Sequence, residues 1–444
     1  MRTVIALVAI AGTLAAQPTR IVSTAPSITE TLFALGLPIV LTMALWAAAI
    51  SYFVVDLSLA NFGQNAWYGL ENFAFLALPL FIVTGDLVLA GGIARHLAGF
   101  ANALVGWIRG GLAMATIMAC GFFAAISGSN AATTATIGSI MIPEMNRRGY
   151  DRVFAAATAA AGGTVGVIIP PSIIYIVYGI IMNVSPVDLF VAGIVPGIFM
   201  VLFMMLAAHL LARFGLQHAP ASGASFAVRE AVRGAWRARH GFVAVALIMG
   251  SIYLGIFSPT EAAALAAVYA WVAGVLFTRE LKLSGTHRVM HRSAQINGLL
   301  VPIVALSIML QQAISLLGVT ESVERFVSGF GGRVAVTAVI MLIILAVGTV
   351  FESVPNVIMT APILAPAAYA VGIDPIQFAM IFLLGDTLGF ITWPYGLNLF
   401  VASSLTGIPY MKISYRALWY CAALLFPWIM VAVFPWMTLG LLGR

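Results

Sequence analysis

Between Gly121 and Glu144 the chain reads GFFAAISGSNAATTATIGSIMIPE. Ser127, Ser129, Asn130 and Thr133 place hydroxyl and amide oxygens close together inside an apolar run. Such oxygens, with free backbone carbonyls, suit a hard cation such as Na+. Non-helical backbone survives at membrane depth only where it is buried in protein or lines a wet cavity. Gly128 therefore reads as the tip of a hairpin, helix in and helix out. The same small residues also fit a face where two membrane helices pack closely.

A second set of candidates lies near the other end of the chain. Gly348, Glu352, Ser353 and Asn356 interrupt the apolar run 334–370, and Asp386 sits inside another, 376–406. Acids in a membrane are costly and mark functional positions; Glu352 and Asp386 could each hold a cation or a proton, or pair structurally. Two more interruptions follow the hairpins. Pro170-Pro171-Ser172, preceded by Gly166, breaks 153–183, and Thr392-Trp393-Pro394-Tyr395-Gly396 breaks 376–406. Proline cannot donate the helix hydrogen bond and restricts the residue before it. The half-helices so created present N–H groups and a positive dipole end, which suit a carboxylate. Ser172, Thr392, Trp393, Pro394 and Gly396 are the candidate substrate contacts. Ser127, Ser129, Asn130, Thr133, Gly348, Ser353 and Thr392 are the candidate Na+ ligands. Asp56 and Asp86 fall near span ends and read as solvated.

The elements that position these groups are membrane helices. Hydrophobic residues make up 62% of the 444 and charged ones 8%, about a third of the charge of a soluble domain. Apolar runs long enough to cross a bilayer recur along the chain. The net charge of +6 comes from Lys and Arg between those runs and implies no nucleic-acid partner. Cys120 and Cys421 lie in apolar runs and indicate no disulfide or metal motif. His287 and His291 sit in a basic loop, without ligand spacing beyond their own. There is no nucleotide-binding loop and no nucleophile–base pair, so an enzyme using Glu352 or Asp386 as an acid has no supporting constellation.

Residues 1–36 are atypical, with a signal-like start at Met1 to Ala16 and then PTRIVSTAPSITETLFALG, which is similar to the opening of cobalamin and siderophore binding proteins. This segment reads as a signal or a fusion scar. Spans are expected at 38–57, 66–87, 189–211, 242–257, 262–277, 297–317 and 417–441, with interfacial helices at 92–109 and 320–333. Scaffold helices and an interfacial arm fill 37–110. A first repeat, 111–212, holds a hairpin at 111–143 and the broken span 153–183. Basic loops and scaffold helices fill 213–333. A second repeat, 334–444, holds a hairpin at 334–370, the broken span 376–406 and the last span. The basic loops at 144–152, 213–240, 279–292 and 410–416 all fall in the cytoplasm if both hairpins are re-entrant. Gly128 and Pro171 are 43 residues apart, Ser353 and Pro394 41. That matched spacing, with opposite entry sides, predicts an inverted repeat with a midplane site. The expectation is an all-α polytopic membrane protein working as a cation-coupled carrier of an organic anion.

The run FFAAISGSNAATTATIGSIMIPEMNRRGYDRVFAAATAAAGGTVGVIIPPS resembles the large membrane subunit of tripartite ATP-independent periplasmic (TRAP) transporters. So do SPTEAAALAAVYA at 258–270, GIDP at 372–375 and YGLNLFVASSLTGIP at 395–409. The resemblance runs from about Leu35 to the C-terminus. It implies an ion-transporter-superfamily fold, an elevator-type transport domain with two re-entrant hairpins and two broken helices, and Na+ symport of a carboxylate such as a C4-dicarboxylate or sialic acid. It implies no cofactor beyond Na+ as coupling ion. It also implies a small four-helix membrane subunit, a periplasmic substrate-binding protein, and residence in the bacterial inner membrane. On that resemblance Ser127, Ser129, Asn130, Thr392 and Pro394 line the sites. The alternative is a stand-alone proton- or Na+-coupled carboxylate carrier. Two positions depart from the family pattern: Trp393 replaces the first proline of T-P-P-x-G, and Asn130 the last serine of S-G-S-S.

Overall fold

The computed structural model describes residues 70–215 and 225–443, with a few isolated positions before residue 70. Segment 1–36 and the span expected at 38–57 lie outside the described residues. Among the described residues the fold is all α, with seventeen helices and no strand. The helices run α1 Ala77–Ala90, α2 Ile93–Val105, α3 Gly111–Ser127, α4 Asn130–Arg147, α5 Arg152–Gly163, α6 Ile173–Met182, α7 Pro186–Arg213 and α8 Val228–Tyr253. Then come α9 Pro259–Val272, α10 Leu283–Leu316, α11 Val319–Ser328, α12 Arg333–Gly348, α13 Ser353–Ala370, α14 Pro375–Gly389, α15 Leu397–Thr406, α16 Tyr410–Val433 and α17 Trp436–Leu439.

Among the described residues, five helical segments are long and apolar enough to cross a bilayer: Phe73–Ala90, Pro186–Arg213, Pro259–Phe277, Leu283–Leu316 and Tyr410–Val433. Their outward faces stay apolar, as Leu202 and Leu206 on α7 and Phe426 and Ile429 on α16 are all at least half exposed. An apolar exterior around an apolar core is the signature of a chain solvated by lipid.

Three expected basic loops contain helix among their described residues. Residues 228–240 form the first half of α8, and Arg288 and Arg292 lie on α10, a 34-residue helix. Lys412 and Arg416 likewise lie on α16, which starts at Tyr410 and ends at Val433 rather than 441. Arginine is a good helix former, so clustered charge marked water-facing positions without marking loops. Asp86 is tied rather than solvated: it accepts from Ser293 Oγ at 2.7 Å and pairs with Arg292 at 3.8 Å, joining α1 to α10.

The two halves repeat each other at a constant displacement of 223 residues. Ser129 caps the 18-residue α4 and Glu352 the 18-residue α13. Both helices end in the same closure. Gly149 and Gly372 take φ of 80° and 78°, and the next amides, Tyr150 and Ile373, donate back to Met145 and Ala368 carbonyls at 3.0 and 3.1 Å. This is a Schellman motif, in which glycine supplies the left-handed residue. Asp151 and Asp374 then cap α5 and α14 through their side chains. From cap to break, Ser129 to Pro171 and Glu352 to Pro394, the separation is 42 residues in both halves. The true register therefore pairs Ser129 with Glu352.

The halves also interlock. Helix α15, which leaves the second break, packs on α4 and α5 of the first half. Helix α6, which leaves the first break, packs on α13 of the second. Asn398 on α15 donates to the Ala160 carbonyl at 3.1 Å, and the Tyr420 and Thr158 hydroxyls pair at 2.8 Å, both buried.

Candidate functional site

The first tip is a two-residue interruption between α3 and α4. Gly128 ends α3 at φ 60° and Ser129 opens α4 in extended conformation, its hydroxyl accepting from Ala132 N–H at 3.4 Å. The break side of the first half closes onto this turn. Ile173 N–H donates to the Gly128 carbonyl at 3.3 Å, and a Cβ on Gly128 would meet the Pro171 carbonyl at 2.9 Å. The second half makes a similar but offset bond, from Tyr395 N–H to the Thr349 carbonyl at 3.1 Å. Both breaks contain a cis peptide, Pro170–Pro171 and Trp393–Pro394. Each hairpin tip is thus bonded to the broken helix of its own half.

At the first tip the hydroxyls form a chain. Thr133 donates to the Ser129 carbonyl at 2.7 Å, and Ser127 sits 3.1 Å from Thr133 Oγ1. With its proton given to Ser129, Thr133 is the acceptor for Ser127, whose lone pairs stay free. Two buried groups have no partner: Asn130 Nδ2 and Thr134 Oγ1. Buried polar atoms are normally paired, so these two groups mark the first tip as a candidate binding corner. Gly163 and Gly166 allow the close approach. A Cβ on Gly166 would lie 2.5 Å from the Ser129 carbonyl, and one on Gly163 would collide with Thr134 Oγ1.

The second tip holds an acid. Asp386, 1% exposed, accepts from Ser353 Oγ and from Asn356 Nδ2, each at 2.7 Å. Asn356 Oδ1 is left buried and unpaired beside this carboxylate. Glu352 is used locally, accepting from Val354 N–H at 3.0 Å as the cap of α13. Gly348 borders Asp386, with a Cβ there 3.3 Å from the Asp386 Cα, and Gly389 packs directly on the Gly348 carbonyl. Under the repeat, Asp386 matches Gly163 and Asn356 matches Thr133.

The remaining expected contacts spread along the breaks. Ser172 is buried and caps α6 through Ile174 N–H. Thr392 donates to the Leu388 carbonyl at 2.6 Å, with Cys421 Sγ 3.5 Å away. The Pro394 carbonyl accepts from Tyr410 at 3.1 Å, and Gly396 opens α15 at φ 52°. Trp393 is half exposed. The fold thus brings Ser127, Ser129 and Thr133 into one cluster with Asn130 next in the turn, and Gly348, Ser353, Asn356 and Asp386 into another. Thr134, Gly163 and Gly389 are additions that only the packing reveals, although their repeated small-residue positions were visible in the sequence.

Paired hairpin tips facing broken helices, in a chain clad in apolar residues, define a membrane carrier. The chain belongs to the family described as tripartite ATP-independent periplasmic transporter, DctM component, which matches residues 29–437. That match begins inside segment 1–36. The chain is similar to the C4-dicarboxylate TRAP transporter large permease protein DctM of Pseudomonas aeruginosa, 37% identical over 372 residues, 84% of this chain and 86% of that protein. It is also similar to the isethionate TRAP transporter permease protein DctMQ of Oleidesulfovibrio alaskensis, 34% identical over 385 residues, 85% of this chain and 60% of that protein. Its fold resembles the crystal structure of the Alcanivorax borkumensis YdaH transporter, with a TM-score of 0.59 at 15% identity, covering 86% of this chain and 89% of that one. The chain is accordingly a large permease subunit of the bacterial inner membrane, a transport component rather than an enzyme. The family implies a small membrane subunit and a periplasmic binding protein as companions.

Proposed function

We propose that this permease imports an organic acid by Na+ symport, receiving it from a periplasmic binding protein and working beside a four-helix membrane subunit. The alternating step is elevator-type movement of the hairpin-bearing helices against α1, α8, α9 and α10. The observation that carries the reading is the buried Asp386 with Asn356 Oδ1 unpaired beside it. A buried carboxylate requires a compensating charge, and a carboxylate with an adjacent amide oxygen is a hard-oxygen set that fits Na+. Gly348 and Ser353 complete the surroundings. A second Na+ is assigned to Ser127, Ser129 and Thr133, where lone pairs and a carbonyl offer a neutral oxygen set.

The anion is assigned to the N-terminal end of α4. Asn130 Nδ2 is a donor without an acceptor, and the first amides of α4 add a positive dipole end. A substrate carboxylate there, with Na+ on the adjacent oxygens, makes each ion the other's partial counter-charge, so neither is stable alone. That mutual dependence is the physical basis of coupling. Relatives named for a C4-dicarboxylate and for isethionate, a sulfonate, support a small organic anion as cargo. Ser172, Thr392, Pro394 and Gly396 form the walls contributed by the two breaks, and the exposed Trp393 indole sets the width of the mouth. The test is uptake of labelled organic acids into proteoliposomes holding both membrane subunits, with the binding protein outside. Uptake is expected with inward Na+ and loaded binding protein; equal uptake without either refutes the reading.

A further inference from the structure

A cleft of about 280 Å³ lies between the C-terminal half of α4 and the end of α15, roughly 15–25 Å along α4 from the first tip. Its polar lining is Ser139, Asn146, Arg152 and Thr406. The passage is kept open by Gly138, whose Cβ would come within 3.1 Å of Leu405.

Three observations define its chemistry. First, Arg147 and Arg148 are both held by Glu144, at 3.0 and 2.8 Å, whereas Arg152 has no ion pair or hydrogen bond among the described residues. Second, Asn146 Oδ1 is buried and unpaired. Third, both hydroxyls give their protons to their own helices, Ser139 to the Thr136 carbonyl at 2.8 Å and Thr406 to the Ala402 carbonyl at 2.7 Å. Ser139 therefore faces the cleft as an acceptor, while Thr406 Oγ1 already accepts from Ile408 N–H at 3.3 Å and keeps one lone pair. One guanidinium and several acceptor oxygens match a ligand that is an anion at one end and a donor at the other. A plain carboxylate satisfies only Arg152. The corresponding positions of the second half, Pro362, Tyr369 and Pro375, reproduce none of these groups, so the cleft belongs to one end of the molecule.

We propose that this cleft is a second binding site, for carboxylates bearing a neighbouring hydroxyl or ammonium group, with the carboxylate on Arg152 and the donor on Asn146 Oδ1. The proposal rests on the carboxylate-import reading above, under which this end faces the cytoplasm and the cleft is the last station before release. It makes α-hydroxy and α-amino acids better cargo than their unsubstituted counterparts.

Cysteine protection tests this without relying on transport. In full-length protein with Cys120 and Cys421 replaced by alanine, Ser139→Cys is labelled with a maleimide in the presence of L-malate or of succinate, which differ by one hydroxyl. L-malate is expected to slow labelling about tenfold and succinate less than about twofold, the difference of one buried hydrogen bond. Adding Arg152→Gln removes the protection; Arg152→Lys keeps part of it. Thr406→Cys is the second reporter and gives the same pattern. Labelling that L-malate leaves unchanged, or slows equally with Arg152→Gln, overturns the proposal. Protection that persists in a permease shown to take up no organic acid keeps the cleft and refutes the import reading instead.

Discussion

The two hairpin tips are built on one plan and filled with different chemistry. Both cap an 18-residue helix, both close it with a left-handed glycine, and both bond to a break 42 residues on. At matched positions, however, the first has Gly163 where the second has Asp386, and Thr133 where the second has Asn356. The first tip is neutral, with a self-contained hydroxyl chain and an unpaired amide donor at Asn130. The second carries an acid, its carboxyl group held from two sides. The duplicated backbone sets the geometry twice, and single replacements give each copy its own chemistry; under the proposed function the corner with a spare donor receives the anion and shares a cation, and the corner with the acid recruits a cation outright.

The largest expected effect comes from removing the charge that distinguishes the second tip. Asp386→Asn should cut uptake roughly a hundredfold, equivalent to about 3 kcal/mol, with the protein still folded and monodisperse. Asp386→Ala should also destabilise, since Ser353 and Asn356 each lose a buried partner at about 1–3 kcal/mol. Normal uptake by Asp386→Asn would erase the contrast between the tips. Next come the glycines that let helix backbones touch. Gly389→Ala forces a methyl into the Gly348 carbonyl, and Gly166→Ala one to 2.5 Å from the Ser129 carbonyl. Each should lower stability by about 1–3 kcal/mol in thermal unfolding, and Gly389→Ala should also weaken Na+ dependence.

A smaller change sharpens the first tip. Asn130→Ser trades the spare donor for a hydroxyl, and the half-saturating substrate concentration should rise about threefold to tenfold with that for Na+ unchanged. A shift in Na+ alone would make Asn130 a cation ligand. The smallest effect belongs outside both tips. The Glu261 carboxylate accepts from the Ser258 N–H and hydroxyl in a capping box at the start of α9. Glu261→Gln should therefore lower the melting temperature only slightly, by weakening this cap, while leaving uptake at neutral pH intact.

Much of this was legible in the amino-acid order because breakers act locally. Gly128, the Pro170-Pro171 pair and Pro394 with its neighbouring Gly396 interrupt helices locally, so these helix ends fall where expected, whereas lone prolines such as Pro143 and Pro302 stay inside helices. Asp386 stood out because an acid in an apolar run is expensive. The repeat register did not emerge, since Gly128 resembles Ser353 as a small tip residue while the structural partners, Ser129 and Glu352, share a capping role and not a side chain. The helical basic segments on α8 and α10 were misjudged because charge reports contact with water and not backbone conformation. The partners of Asp386, the orphaned Asn130 amide and the cleft around Arg152 depend on contacts between residues far apart in sequence, which spacing does not encode.

The account rests on Na+ bound beside Asp386 driving the substrate. The most direct test is Na+-dependent uptake by the reconstituted complex across a Na+ titration, comparing the wild type with Asp386→Asn at saturating loaded binding protein. The expectation is steep Na+ dependence in the wild type and near-loss of uptake in the variant at every Na+ concentration. Uptake that is independent of Na+, or an Asp386→Asn curve that superimposes on the wild type, would contradict it.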